Sequence, residues 1–208
     1  MRYIDFRQQL DDFLVFSIKD IRKIEPSFDY RRIHEWRNKG YIKEVRRGYY
    51  IFSNLKLNED SLYTIANQLY NPSYVSLETA LRRYNLIPET VYAITSISTK
   101  KTAKFNQLID FRYRSIKPSL FFGYILDGSS DHKYKIAEPE KALLDYLYLH
   151  PEMSSLESFY EWRFDLDEFS QIADLDKLRT YLTFFNSPTL TRRVKRLLKM
   201  KEINYAYT

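Results

Sequence analysis

The strongest chemical signal in this sequence is a concentration of cationic side chains between Arg31 and Arg47. Seven lysines and arginines lie in these 17 residues, against two glutamates. An excess of this size is larger than solubility requires, and Lys and Arg are the side chains that bind phosphate groups. The segment therefore predicts contact with nucleic acid, although a solvated helix face beside a charged hairpin would give the same composition.

The polar side chains of this segment divide into two chemical roles. Arginine can bond guanine through two hydrogen bonds and asparagine can do the same with adenine, so Arg31 and Asn38 are the predicted base readers. Lys43, Arg46 and Arg47, in the segment that follows, are the predicted phosphate contacts. The residues predicted to face DNA are Ser27, Tyr30, Arg31, His34, Asn38, Lys43, Arg46 and Arg47.

A helix over residues 28–39 must position the base readers. Ser27 is a favourable N-cap residue, and Gly40 follows where a glycine often ends a helix. At about 100° per residue, Ile33 and Trp36 share one apolar face. The predicted base readers then point away from the buried side and toward the partner.

A basic β-hairpin must follow this helix. Residues 42–45 and 49–52 are rich in β-branched and aromatic side chains. They flank Arg46, Arg47 and Gly48, and Gly48 can adopt the positive φ that tight turns need. The sequence therefore predicts two paired strands with a cationic tip.

Two amphipathic helices are predicted before this segment, over residues 3–16 and 18–24, and Ser17 is expected to cap the second. Three helices followed by a hairpin indicate a winged helix-turn-helix. We expect this DNA-binding domain to span residues 1–54.

Residues 55–208 predict a different kind of domain. Strand and helix patterns alternate through its first part, and residues 155–201 indicate helices only. The predicted fold class is therefore α+β, with the winged helix-turn-helix followed by a mixed domain of four or five strands and a helical C-terminal tail. The predicted strands are residues 74–75, 90–99, 109–116, 120–126 and 133–136, and predicted helices begin at Asn58, Ser76 and Glu138.

Two further basic clusters lie in this second domain. One joins a lysine-rich turn to a strand with two arginines on one face, and the other belongs to an amphipathic helix over residues 188–201. The strand cluster would contact phosphates or an acidic partner, or else be a solvent-exposed sheet face. The helix would contact nucleic acid, an acidic partner or a membrane surface, or else be neutralised by the acidic residues 152–176. The residues of this possible partner or nucleic-acid surface are Lys100, Lys101, Lys104, Arg112, Arg114, Arg192, Arg193 and Arg196.

One grouping offers a candidate for catalysis. Asp131, His132 and Lys133, with Asp110 on an earlier strand, loosely match nuclease sites that hold a cation with carboxylates beside a lysine. The same segment also suits a polar hairpin turn. The alternative function is a DNA-processing nuclease with a winged-helix targeting domain, whereas the favoured prediction is a protein without catalytic residues, metal or cofactor.

Composition further indicates what class of protein this is. The chain has no cysteine, and 44% of its residues are apolar, which is enough for a sizeable core. Its start lacks the apolar segment of a signal peptide, and no run approaches the roughly 18 apolar residues of a membrane span. We expect a cytoplasmic, monomeric or weakly dimeric protein that binds double-stranded DNA and no membrane.

Three motifs carry a family resemblance. They are WRNKGYIKEVRRGYYIF (residues 36–52), YVSLETALRRYNLIPETVYAITSISTKKTAKF (residues 74–105) and AEPEKALLDYLYL (residues 137–149). Over about residues 17–150 the chain resembles the AbiEi family of antitoxins and viral-defence transcriptional regulators. The resemblance implies an N-terminal domain that represses its own operon at inverted repeats. It also implies a C-terminal domain that counteracts a nucleotidyltransferase-type toxin of a type IV toxin-antitoxin system.

Overall fold

The N-terminal part of the molecule combines three short helices with a small antiparallel sheet. The structure, a computed structural model, describes residues 2–88, 92–129 and 132–206. Its three-stranded sheet has the strand order β1-β3-β2. The elements of this part are α1 (Tyr3–Gln9), β1 (Phe16–Ser17), α2 (Ile18–Ile24), α3 (Arg31–Asn38), β2 (Ile42–Arg46) and β3 (Tyr49–Phe52).

Local capping interactions define two of these helices as the sequence predicts. The Ser17 hydroxyl accepts the Asp20 N–H at 3.4 Å, and the Asp20 carboxylate accepts the Ser17 N–H at 3.0 Å, which closes a capping box before α2. After α3, the Tyr41 N–H reaches the Trp36 carbonyl oxygen at 2.9 Å while Gly40 has φ +71°. This is the bonding of a glycine-terminated helix end.

The first helix is shorter than predicted. It ends at Gln9, and Asp11 and Asp12 follow where the negative end of the helix dipole disfavours carboxylates. Phe16, which the prediction placed at the end of this helix, lies instead in β1 and pairs with Tyr50 of β3. The predicted helix over residues 3–16 is therefore wrong after its second turn.

The predicted N-cap of α3 is also wrong. Ser27 lies in the turn before the helix, which begins only at Arg31. The Asp29 carboxylate accepts the Arg31 N–H at 2.9 Å, as an Asx turn does. The Phe28 ring is buried in the core, 5.7 Å from the Trp36 ring. Residues 28–30, which the prediction had placed in the helix, therefore precede it and pack Phe28 against the core.

The second part is built around a six-stranded mixed sheet with the order β6-β7-β5-β4-β9-β8. The pairs β5–β7 and β4–β9 are parallel, and the other three pairs are antiparallel. Its elements are α4 (Glu59–Leu69), β4 (Ser73–Val75), α5 (Leu77–Arg83), β5 (Ala93–Ser98), β6 (Ala103–Phe105), β7 (Asp110–Ser115), a 3₁₀ turn (Pro118–Leu120), β8 (Tyr124–Gly128) and β9 (Lys133–Ala137).

This sheet differs from the prediction in two strands. Strand β6 was not predicted, because its sequence Ala-Lys-Phe has no β-branched residue and follows a lysine-rich turn. The predicted strand over residues 120–126 begins only at Tyr124, since Pro118 starts a 3₁₀ turn and Gly123 has φ +69°. The predicted strand over residues 90–99 corresponds to β5, and its first two residues lie outside the described part.

Five helices complete the described part of the chain, and the prediction of a helical tail is confirmed. Among the residues described, no helix is both long enough and apolar enough to cross a membrane. These helices are α6 (Pro139–Leu149), α7 (Leu156–Trp162), α8 (Leu166–Ile172), α9 (Leu175–Phe185) and α10 (Pro188–Ala206).

Three apolar clusters form the core, and one of them joins the two parts. The first lies within the N-terminal part around Phe6 and Trp36, and the second lies between the large sheet and its helices. The third packs the hairpin of β2 and β3 against α4 and β7. The residues of this third cluster are Leu14, Val15, Val45, Ile51, Ile65, Ala66, Leu69, Phe111 and Tyr113.

Candidate nucleic-acid interface

Helix α3 presents an exposed polar face opposite its buried stripe. Ile33 and Trp36 are 0% and 3% exposed, which confirms the predicted direction of burial. The side chains predicted to read bases, Arg31 and Asn38, are exposed, as is His34. Within the residues described, neither Arg31 nor Asn38 has a side-chain hydrogen bond or ion pair, so both are available to a partner.

An ion pair fixes this helix relative to the hairpin. The Arg37 guanidinium lies 3.1 Å from the Glu44 carboxylate, which is only 14% exposed. The other oxygen of Glu44 accepts the Gly48 N–H at 3.1 Å, and Gly48 has the predicted positive φ of +81°. One carboxylate therefore connects α3, β2 and the hairpin turn, which orders the exposed surfaces before any ligand binds.

The remaining charged and aromatic groups on this face are also held in place. Lys39 pairs with Glu35 at 2.6 Å, and this hydrogen bond holds the pKa of the Glu35 carboxyl below its usual value. The Tyr30 hydroxyl lies 3.5 Å from the Tyr50 hydroxyl, and the Tyr30 ring contacts His34 edge-on at 5.5 Å. The acid on the exposed face of α3, Glu35, is thus neutralised by the residue that follows the helix.

The three cations predicted as phosphate contacts occupy different environments. Lys43 and Arg47 are exposed and have no side-chain partner in the described part of the chain. Arg46 is half-buried, and its guanidinium donates to the Leu69 carbonyl oxygen and lies 4.3 Å from the centre of the Phe105 ring. The assignment of Arg46 as a free phosphate contact is therefore wrong, because its charge is used between the hairpin and the large sheet.

Most cations of the lysine-rich turn and its neighbouring strand have partners within the fold. Lys104 and Arg112 lie 3.5 and 2.7 Å from the same carboxylate, Asp110. Lys100 lies over the Tyr70 ring, and Arg114 donates to a main-chain oxygen at 3.4 Å. Lys101 is exposed. This surface is less cationic than its sequence indicates, since Asp110 offsets part of it.

The basic C-terminal helix also differs from its prediction at one position. Arg192 and Arg196 are exposed, and Arg196 donates to the Ser154 carbonyl oxygen. Arg193 is 7% exposed and donates to the carbonyl oxygens of Leu147 and His150 at 2.7 and 3.0 Å. Its place on the outer surface was therefore wrong, since it binds the unpaired oxygens at the end of α6.

The grouping considered for nuclease chemistry does not come together in the described residues. Asp110 begins β7 and Lys133 begins β9, three strands away, which is roughly 14 Å at the usual strand spacing. The two strands also run in opposite directions, so the two side chains lie at opposite ends of the sheet. Asp131 lies outside the described residues. Within those residues no group of three His, Asp or Glu side chains could hold a metal ion.

One charged pair was missed because it is hidden in an apolar helix. Lys141 and Asp145 are both 0% exposed and form an ion pair in α6. Asp145 also accepts the hydroxyls of Tyr74 and Ser76 at 2.8 and 2.9 Å, so Ser76 does not use its side chain to cap α5 as predicted. Burial lowers the pKa of Lys141 and raises that of Asp145. The spacing of four residues between opposite charges was the available sequence signal.

Comparison with solved structures shows a similarity of fold. No protein-family model and no curated protein matches this chain. The chain is similar to the crystal structure of the RV2827C protein from Mycobacterium tuberculosis, with a TM-score of 0.66 and 14% sequence identity. The match covers 95% of this chain and 75% of that one. At this identity the similarity concerns the fold alone.

Proposed function

We propose that this protein is a DNA-binding transcriptional repressor that also acts as the antitoxin of a bacterial toxin-antitoxin (abortive infection) system. The DNA-binding role is supported by α3 and the β2–β3 hairpin, which we interpret as the recognition helix and wing of a winged helix-turn-helix. The antitoxin role is supported by the resemblance of residues 74–105 and 137–149 to the AbiEi family. That resemblance also motivates the inverted repeats of its own promoter as operator and a nucleotidyltransferase-like toxin as the antagonist.

The observation that carries the proposal is the exposed polar face of α3 beside the free cations of the hairpin. In a complex, α3 enters the major groove, where Arg31 bonds guanine and Asn38 bonds adenine at base edges. Lys43 and Arg47 contact phosphates on the flanking backbone. The ion pair of Arg37 with Glu44 keeps these two sets of contacts in register.

The experiment uses the full chain and its own promoter. Gel shifts at several salt concentrations compare the wild type with the double variant Arg31→Ala, Arg47→Ala, and with Arg82→Ala as a control for loss of one exposed cation on α5. We expect loss of operator binding in the double variant only. Equal binding by all three proteins would refute the assignment of α3 and the hairpin as the DNA-facing surface.

The antitoxin role is tested separately by growth. Co-expression with the toxin encoded beside this gene should restore colony formation. The double variant should rescue growth as well as the wild type when both are made from an unrelated promoter, since toxin neutralisation is assigned to the second part. Failure of the wild-type protein to restore growth would refute the antitoxin role and leave the DNA-binding role unaffected.

A further inference from the structure

Strand β9 extends beyond the part of β4 that pairs with it, and a cavity opens where the sheet is incomplete. Only Val75 of β4 pairs with Ile136 of β9. Earlier in β9, the main chain bonds to α4 instead, since the Asn67 side-chain oxygen accepts the Lys135 N–H at 2.5 Å. The cavity beside this contact has a volume of about 410 Å³, within the range of small-molecule sites.

The charge of this cavity is positive. Lys133 and Lys135 lie two residues apart on β9, and both line it. Neither has an ion-pair partner within residues 2–88, 92–129 and 132–206, and no Asp or Glu is among the described lining residues. The Lys135 ammonium lies 5.4 Å from the centre of the Tyr124 ring, which holds it without neutralising it. An anion would therefore be favoured here.

Two buried polar atoms at the cavity have no hydrogen-bond partner in the described structure. Ser73 is only 2% exposed, and its hydroxyl oxygen is unpartnered. The side-chain nitrogen of Asn67 is unpartnered as well, although the oxygen of the same amide is bonded to β9. Buried polar groups are nearly always hydrogen-bonded, so a donor pair left open at one cavity indicates that something else completes it.

We propose that this cavity binds a small organic anion. Lys133 and Lys135 bind its phosphate or carboxylate group, and the Ser73 hydroxyl and Asn67 amide become donors to it after a small side-chain adjustment. Leu126, which is 61% exposed, lies opposite Lys135 and offers an apolar wall to the rest of the molecule. This site goes beyond the proposed function and does not depend on it.

The position of the site also connects it to the hairpin. Asn67 belongs to α4, and the neighbouring residues Ile65, Ala66 and Leu69 of the same helix pack in the cluster that holds β2 and β3. A ligand bound at Asn67 thus contacts the helix that supports the candidate DNA-binding surface.

Titration calorimetry with the full chain tests the proposal, with AMP and inorganic phosphate as anionic probes and adenosine as the uncharged control at matched ionic strength. We expect saturable binding of AMP and none of adenosine. The double variant Lys133→Gln, Lys135→Gln should weaken AMP binding about tenfold or more, and Ser73→Ala should weaken it less. Lys117→Gln, at an exposed lysine away from the cavity, should bind as the wild type does.

Variants of the candidate DNA interface test whether AMP binds at this cavity or at any cationic surface of the protein. Arg31→Ala with Arg47→Ala should retain full AMP affinity, and AMP should still bind when the protein is saturated with promoter DNA. Absence of AMP and phosphate binding by the wild type would overturn the proposal. So would equal affinity in the Lys133, Lys135 variant, or displacement of AMP by DNA, which would indicate a backbone-phosphate site. A thermal melt without ligand confirms that each variant is folded.

Discussion

Arg46 in the hairpin donates a hydrogen bond to the main-chain oxygen of Leu69 at the end of α4, and its guanidinium lies over the Phe105 ring. An arginine at the tip of a basic hairpin thus stabilises the contact between the two parts of the molecule. Arg47, the next residue, is exposed. Two adjacent arginines therefore occupy different environments, and the consequences of this difference can be measured.

We expect Arg46→Ala to lower the free energy of unfolding by about 1–3 kcal/mol, because the buried Leu69 oxygen and the aromatic rings lose their cation. It should leave the salt dependence of DNA binding nearly unchanged. Arg47→Ala should leave stability unchanged and reduce the salt slope by about one. Urea unfolding and gel shifts over a range of salt measure the two effects. The reverse pattern would show that Arg46 contacts phosphate.

The base-reading assignment predicts a sequence-dependent loss. Arg31→Ala should weaken binding to the operator by about 1–3 kcal/mol and relax the preference at one base position. Binding to unrelated DNA should change little. Affinities for a set of operator variants, each with one altered base pair, test this. A uniform loss across all sequences would make Arg31 a phosphate contact instead.

The buried pair in α6 predicts an asymmetric response to mutation. Lys141→Met should destabilise the protein by about 3–5 kcal/mol, because it leaves the Asp145 carboxylate buried without its cation. The further change Asp145→Leu should recover part of the lost stability, although the Tyr74 and Ser76 hydroxyls then lose their acceptor. Urea unfolding of the two single variants and the double variant completes the cycle. Strict additivity would contradict direct coupling.

The same pair predicts a pH effect in the single variant. Burial already raises the pKa of Asp145 in the native protein, and removing Lys141 takes away a group that lowers it. A raised pKa contributes stability below the unfolded value of 3.8, and that contribution is lost as the pH rises toward the folded value. Lys141→Met should therefore be closer to the wild type at pH 4 than at pH 7. A constant difference over this range would contradict the prediction.

Asp20, in the capping box of α2, predicts a pH dependence of stability opposite to that of Asp145. Burial raises the pKa of Asp20, but hydrogen bonds from Ser17 and Lys23 outweigh it, so the net pKa is lowered from 3.8. The resulting stability is present above pH 3.8 and is lost as the pH falls through the folded value. Asp20→Asn should cost about 1 kcal/mol at pH 7, and this cost should shrink below pH 3.8. Thermal melts at pH 7 and at a pH below 3.8 measure this cost, and Asp12→Asn is the exposed control.

Local signals predicted the presence of the helices and the hairpin, although not every helix boundary, because caps, glycines and apolar periods act within a few residues. The Ser17 cap, the turn at Gly48 and the buried stripe of α3 are examples. Contacts between distant residues were not predictable in this way. Nothing near Arg46 indicates that Leu69 and Phe105 will surround it, and Arg193 meets its acceptors only because α10 packs on the end of α6.

The same limit applies to the candidate sites. The residues on α3 could be chosen from the helical period alone, whereas the cavity at Lys133 and Lys135 depends on how far β9 extends past β4. Strand lengths are set by pairing between segments far apart in the chain. The proposed DNA-facing surface is thus a property of one short segment, and the cavity is a property of the whole sheet.

The cluster shared by the two parts has a consequence during synthesis on the ribosome. The small sheet is complete once Phe52 has emerged. Val45 and Ile51, however, belong to a cluster that also contains residues of α4 and, from β7, Phe111 and Tyr113, which emerge much later. The large sheet waits longer still, because β4 is flanked by β9 and needs Ile136. The cluster on this hairpin face therefore stays incomplete for roughly 3–12 seconds at about 5–20 residues per second. Chaperone binding to ribosome-bound chains should be strongest after Phe52 has emerged and before Phe111 emerges.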